Sequence, residues 1–391
     1  MSAKALIAGV GMVKFSKPGQ SEPYEKMASQ AIRAALADAG IEISEVQQAY
    51  AGFCMGLSCS GQRSLYEVGM PGIPVFNVNN ACATGSSAIF LARQAVMAGA
   101  VDCALAFGFE EMKPGALVGE PGRTLTVDHI FKRFAELGYP IVEAMGAPYM
   151  FGSAGLDYLK RYDAHPQIFA DVAVKTRSHA ARNPYALFTK PLTVEEVMSS
   201  PVIFEPFLTR LMACPPTCGA AAALVVSDKF ARQHGISHAI EIAGQGMTTD
   251  SAATYDSAMD LVGRDMVRRA AAMAYTQAAI GPQDVDVVEL HDCFTPNEVL
   301  SYEALNLCGE GESTKFIADG DNTYGGKVVV NPSGGLMSKG HPLGATGLAQ
   351  CAELIWHLRG EAGERQVANA RVALQHNIGM GGACVVTVYR A

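Results

Sequence analysis

Four short stretches of this sequence hold residues that can do covalent chemistry. "NNACATGSS" carries Cys82 among small and polar residues, just ahead of a long Ala-rich run. "SKGHPLGATG" carries His341 in a setting dense in glycine and polar atoms. "VDVVELHDCFTPNEV" delivers His291, Asp292 and Cys293 together at the end of an apolar run, and "LQHNIGMGGACVV" is rich in glycine. A thiol at the head of a helix and beside an imidazole has the makings of a nucleophile, because a helix N-terminus and a nearby imidazolium both lower a thiol's pKa. A second cysteine can act as acid and base. Glycines let backbone amides approach a ligand closely enough to form an oxyanion hole. Each stretch also has a plainer reading. Cys82 can be a small residue at a packed helix start, His341 a turn or capping histidine, Cys293 a buried thiol, and the glycine stretch a simple turn.

Such residues lie far apart in sequence, and an internal repeat supplies the elements to bring them together. "IAGVGM" at 7–12 returns as "IAGQGM" at 242–247, each an apolar strand expected to end in a Gly-x-Gly turn. As a phosphate loop this is weak, since the rest of the dinucleotide fingerprint is missing. Each copy is followed by an Ala-rich amphipathic helix, a glycine turn and a β-branched strand that ends at a cysteine, Cys54 or Cys293. Then comes a small-residue turn feeding a helix, headed by Cys82 in one half and by His341 in the other. A strand running into a loop closes each copy. Four blocks in the same order indicate duplication. Two related α/β halves packed as a pseudo-dimer place Cys82 and His341 across a common axis. Residues 1–114 with 214–240 form the first half on this reading, and 241–391 the second. Residues 115–213, with prolines, aromatics and charges, form an insertion on the first half that serves as a lid or binding loop.

Composition narrows the function classes. Acidic residues outnumber basic ones 38 to 30, and no Lys/Arg run stands out, which argues against a nucleic-acid groove. No apolar stretch reaches the roughly 18 residues that would span a bilayer. The N-terminus reads as a strand rather than a signal peptide, and the final residues match no targeting tail. Ten cysteines without a secretory signal are expected as reduced thiols in the cytoplasm. Neither close pair, Cys54 with Cys59 or Cys214 with Cys218, has C-x-x-C spacing, and no metal site is expected.

Taken together, "NNACATGSS", "HDCFTPNE", "NPSGGLMSKGHPLGATG" and "HNIGMGGA" resemble the thiolase family, in particular its sterol-carrier-protein-2-type branch. Order and spacing fit along essentially the whole chain, and "HDCF" with "GHPLGATG" is the most diagnostic pair. The resemblance implies a thiolase fold: two duplicated α/β halves in a layered αβαβα arrangement with a long loop-domain insertion. It implies CoA-dependent cleavage of 3-ketoacyl-CoA to a shortened acyl-CoA plus acetyl-CoA or propanoyl-CoA, in fatty-acid or sterol side-chain degradation. Cys82 would carry the acyl group, and His341 would activate Cys82 and help bind the thioester oxygen. His291 would complete that oxyanion hole through a water, and Cys293 would move the proton to and from the α-carbon. A second hole would use the amide of Cys82 and one from "NIGMGG". No cofactor is implied, since coenzyme A enters as a substrate. A homodimer or homotetramer is the implied assembly.

The adenine and phosphate end of coenzyme A would rest on the insertion, which carries Lys132, Arg133, Arg177, His179, Arg182 and Lys190; a solvated face is the plainer reading of those charges. Met150 and Phe151 would line the acyl pocket. The sequence departs from the family twice. His376 stands where many thiolases carry a second cysteine in Cys-x-Gly, and no role carries over to it. Cys218 precedes Gly219 where Asp-Gly is usual, which puts local loop support in doubt. The alternatives are a biosynthetic condensation of two acyl-CoA units, and a lipid-binding or scaffold protein with little activity. Loss of Cys82, Cys293 or His341 would favour the scaffold, and all three are present.

Overall fold

The computed structural model describes residues 4–115, 126–140 and 146–391. Its strands are β1 (Ala5–Met12), β2 (Gln48–Gly52), β3 (Val75–Val78), β4 (Cys103–Glu110), β5 (Val202–Phe204), β6 (Leu208–Thr209), β7 (Gly219–Ser227), β8 (Ile240–Thr248), β9 (Val287–Glu289), β10 (Val329–Val330), β11 (Val372–Gly379) and β12 (Ala383–Arg390). Ten of them run in the order β10-β9-β11-β12-β8-β1-β7-β4-β2-β3. Read outward from the centre, this is one five-strand pattern used twice. In each half the first two pairings are antiparallel and the last two parallel. Within the ten-stranded sheet the two halves pair where Leu6 faces Glu241 and Ile7 faces Ile240. The duplication read from sequence is therefore visible as strand order.

Burial patterns explain the layers. The Tyr24–Ala39 helix buries Met27, Ala28, Ala31, Ile32, Ala35, Leu36 and Ala39, one face at helical spacing, and packs on β1, β4 and β7. The Arg264–Ala278 helix does the same on β8 and β12. The Thr346–Arg359 helix is buried nearly all round, as a helix must be when it is packed between the two halves of the sheet. It and the Thr84–Met97 helix pack on each other and on strands of both halves. The result is the αβαβα arrangement.

The repeated Gly-x-Gly motifs are not turns, which corrects the sequence expectation. Gly9 and Gly11 lie within β1, and Gly244 and Gly246 within β8. A Cβ on Gly9 would sit 2.3 Å from the Ala35 carbonyl oxygen, and one on Gly244 would sit 2.1 Å from that of Ala274. The motif recurs because each outer helix presses its backbone against its strand. Gly244→Ala is expected to destabilise the fold by about 3 kcal/mol through this overlap. A lowered urea midpoint with an unchanged m-value would show it; an unchanged midpoint would contradict the packing argument.

The insertion leans on the second half. Its helices, Ala147–Tyr162 and Gln167–Ala180, pack on the Thr295–Ala304 helix. Phe151 stacks on Phe294 with centroids 5.1 Å apart, and within the insertion Phe169 stacks on Phe207 at 4.8 Å. Residues 116–125 and 141–145 of the insertion lie outside the described residues. Two of the insertion's cations, for which a solvated face was the plainer reading, are buried instead. Arg177 donates through Nε to Ser338 Oγ (3.0 Å) and lies over the Phe188 ring. His179 is held by the Asn331 carbonyl (3.1 Å) and Thr323 Oγ1 (2.7 Å). Both brace the loop that leads to His341. The missing Asp before Gly219 also has a substitute: Cys218 Sγ accepts the Met112 N–H (3.1 Å) and donates to the Met112 carbonyl (3.4 Å).

Candidate active site

Cys82 lies on the turn between β3 and the Thr84–Met97 helix, two residues before the helix begins. The small polar residues around it build that turn. Asn80 N donates to Thr84 Oγ1 (2.8 Å), Thr84 Oγ1 donates to the Ala81 carbonyl (2.6 Å), and Asn80 Nδ2 donates to Ser87 Oγ (2.9 Å). Ala81 is held at φ +48°, a left-handed conformation costly for alanine, so the turn is over-determined and aims its cysteine. Gly379 at the end of β11 passes beside it; a Cβ there would sit 2.1 Å from the Asn80 carbonyl oxygen.

His341 follows the Gly335–Lys339 turn and pairs across the halves with Pro216. Its Nδ1 lies 2.8 Å from Thr346 Oγ1, whose own proton goes to the Pro342 carbonyl (2.9 Å). Thr346 must therefore accept from His341 Nδ1–H, which leaves the lone pair on Nε2. That Nε2 is buried and has no hydrogen-bond partner among the described residues. Burial also pulls the pKa of His341 down to about 3, so the ring is a neutral base. His291 comes from the end of β9, and its ring meets that of His341 edge to face at 5.1 Å. Cys82 Sγ and one nitrogen of each histidine all lie within 4.8 Å of one another. The duplication thus does bring Cys82, His291 and His341 together.

Cys293 joins them. Its thiol is buried beside those of Cys214 and Cys82, and its carbonyl accepts the Cys214 N–H at 2.8 Å. The two amides that face Cys82 Sγ are its own and that of Met380, so the "NIGMGG" loop contributes a methionine's N–H rather than a glycine's. His376 lies alongside in β11, its Nδ1 3.4 Å from the His291 N–H. Met150 and Phe151 line a small cavity with Ile130, Asp250, Leu261, Ile378 and Met380, and Met380 also turns its amide toward Cys82.

Three neighbours were not expected. Glu110, 1% exposed, accepts the N–H groups of Cys54 (3.1 Å), Met55 (2.9 Å) and Gly344 (3.0 Å), tying the His341 loop to the first half. Cys54 Sγ donates to the Ala81 carbonyl at 3.2 Å. It occupies the place in the repeat that Cys293 has in the second half, so that signal was readable. Nothing local marks Glu110 or Cys214.

The electrostatics correct one expectation. The thiol of Cys82 is not lowered but pushed up to about 12, first by burial and then by the Glu110 carboxylate, against the opposing pull of the two amides. Cys293 is likewise pushed well up by burial. The resting thiol is thus protonated, with a neutral base beside it. Iodoacetamide should therefore inactivate the protein faster with each pH step through the alkaline range, roughly tenfold per unit, with no plateau near neutrality. A plateau there would reveal a thiolate and overturn this reading.

Comparison with known proteins is consistent along the chain. Residues 6–205 match the family model described as the thiolase N-terminal domain, and residues 246–389 match the one described as thiolase C-terminal domain-like. Sterol carrier protein 2 of Gallus gallus is 50% identical over 395 residues, covering 100% of this chain and 72% of that protein. The benzoylsuccinyl-CoA thiolase subunit of Thauera aromatica is 35% identical, covering 97% of this chain and 96% of that one. A solved structure titled Ltp2-ChsH2(DUF35) aldolase superposes with a TM-score of 0.84 at 24% identity, covering 99% of this chain and 98% of that one.

Proposed function

This chain belongs to the thiolase family, and we propose that it cleaves 3-ketoacyl-CoA with coenzyme A, yielding a shortened acyl-CoA plus acetyl-CoA or propanoyl-CoA. Acyl transfer to and from coenzyme A is the general activity of such a fold and site. The cleavage direction, the substrate and the residue roles are the proposal. The observation that carries it is the convergence of the Cys82 thiol with one nitrogen each of His341 and His291 within 4.8 Å, with the Cys293 thiol alongside.

The steps follow from the atoms available. Cys82 Sγ adds to the C3 carbonyl as its proton passes to His341 Nε2. The oxyanion on C3 is met by the amides of Cys82 and Met380. The C2–C3 bond breaks, and its electron pair moves to C2 as the enolate of the departing thioester. That enolate oxygen is met by His341, now carrying its proton on Nε2, together with His291. The Cys293 thiol protonates C2 and becomes a thiolate, whose high resting pKa makes it basic enough for the return step. Coenzyme A enters as the second substrate, gives its thiol proton to Cys293 and attacks the acyl-Cys82 thioester. Cys82 leaves and recovers its proton from His341. No cofactor takes part in this scheme. The acyl chain is placed toward Met150 and Phe151, whose cavity of about 20 Å³ must open to receive it.

The functional unit proposed is a homodimer, which can pair further into a tetramer. β3 is an edge strand that carries Phe76 (47% exposed), and Met70 (79%) lies in the chain leading into it. Such an unpaired apolar edge is a liability unless a second copy covers it. Light scattering should give twice or four times the chain mass, and Phe76→Asp should lower it; a monomeric wild type would refute the assignment. The function itself is tested by loss of enolate absorbance when 3-ketoacyl-CoA esters of graded length are mixed with coenzyme A. Turnover that peaks at one length names the substrate class. No cleavage of any ester would reject the proposal.

A further inference from the structure

Behind His291 lies a buried chain of polar side chains that the reaction scheme does not use. It begins at a group whose role is unambiguous, the backbone carbonyl of Gly347, which can only accept. Gln375 Nε2 lies 2.6 Å from it, so the side-chain nitrogen of Gln375 faces Gly347 and its oxygen accepts from Tyr389 Oη–H (2.6 Å). The second Nε2 hydrogen goes to Ser86 Oγ (2.8 Å). Ser86 then gives its own hydrogen to Asn377 Oδ1 (2.9 Å). With its oxygen so engaged, Asn377 turns its NH2 group to His291 Nδ1, 2.9 Å away. An amide N–H can only meet a lone pair there, so the ring hydrogen of His291 stands on Nε2.

We propose that Gln375, Ser86 and Asn377 form a tautomer-setting relay, with Asn377 as the positioning residue that fixes His291 as a hydrogen-bond donor through Nε2–H. The site then holds its two imidazoles in opposite tautomers. His341 offers a lone pair at Nε2, through Thr346, and His291 offers a hydrogen at Nε2, through Asn377. One can take the nucleophile's proton while the other polarises an oxygen, and neither can exchange roles. Every member is sealed from water: Ser86 and His291 are 1% and 2% exposed, and Gln375, Asn377 and Tyr389 are fully buried. The relay also accounts for Gly347, since a Cβ there would sit 2.2 Å from Ser86 Oγ and 2.8 Å from Asn377 Oδ1. It spans the molecule, with Ser86 on the nucleophile's own helix and the others on second-half elements, so the tautomer is set only when the halves are docked.

The consequence for rate rests on the proposed acyl-transfer reading; the tautomer does not. The resting protein, labelled with 15N-histidine, is therefore measured first, with the His291 resonances assigned by their loss in His291→Gln. We expect an unprotonated Nδ1 and a protonated Nε2; a protonated Nδ1 overturns the relay whatever reaction the protein catalyses. Asn377→Asp then places an acceptor where the donor was. His291 should become protonated at Nδ1. At alkaline pH kcat should fall by roughly 100-fold with KM nearly unchanged, and the rate should recover as falling pH restores Nε2–H through the imidazolium. A variant that keeps the wild-type tautomer, or loses rate with the wild-type pH profile, contradicts the assignment. Should Asn377→Asp fail to fold, Ser86→Ala carries the test, expected to leave His291 a mixture of tautomers and overturning the relay if a single Nε2–H form persists.

Discussion

Cys82→Ala will abolish 3-ketoacyl-CoA cleavage, by roughly 10⁴-fold or more, the scale on which nucleophile removal acts in other acyl-transfer enzymes. The reason is geometric. The turn that aims residue 82 is built by Asn80, Ala81, Thr84 and Ser87 and does not depend on the thiol, so the variant keeps its fold and its pocket. What it loses is the one atom that can hold the acyl group where the Met380 amide and His341 Nε2 meet. Thermal unfolding should stay close to wild type while thiolysis disappears. Substantial cleavage by the folded variant would mean that another group carries the acyl chain, and Cys54 and Cys214 would be the thiols to examine.

Cys293→Ala will divide the reaction into a part that survives and a part that does not. Loss of a positioned general acid–base costs on the order of 10²–10⁴-fold. The cost should fall on every step that makes or breaks a bond to hydrogen at C2. Exchange of the α-hydrogens of acetyl-CoA with deuterated water, which needs only that proton transfer, should vanish. Transfer of an acetyl group from acetyl-CoA onto Cys82 leaves C2 untouched and needs Cys293 only for the coenzyme A thiol proton, which solvent can exchange in its place, so it should persist at a reduced rate. Nuclear magnetic resonance follows the first and radiolabel exchange between acetyl-CoA and free coenzyme A the second. If α-exchange survives in Cys293→Ala, the proton carrier is elsewhere, and His376, buried in the same site, is the next residue to replace.

Much of this site was legible in the sequence, because the relevant signals are local. Cys82, His291, Cys293 and His341 each stand in a short distinctive stretch. The repeat foretold that elements headed by Cys82 and His341 would meet, and the strand order of the two halves agrees. What stayed hidden depends on packing. Burial and Glu110 together reverse the expected shift of the Cys82 thiol, and neither can be read from the residues beside it. The Gly-x-Gly pairs mimic a turn because a glycine needed for a close helix–strand approach looks, in sequence, like one needed for a left-handed bend. Arg177 and His179 read as exposed charges until the loop they brace was in view. Glu110 and Cys214 gave no signal, since each acts through partners distant in sequence. Asn377 stands in the distinctive stretch "HNIGMGG", but its purpose shows only once Ser86 is seen to fix its orientation.

The central claim is that catalysis passes through an acyl group on Cys82. The most direct test mixes the protein with a 3-ketoacyl-CoA ester in the absence of free coenzyme A, quenches in acid and maps the peptides by mass spectrometry. The account predicts one acyl group on the peptide carrying Cys82, formed together with one equivalent of acetyl-CoA or propanoyl-CoA, and discharged when coenzyme A is added. Product released with Cys82 unmodified, or an acyl group found on a different cysteine, would contradict it.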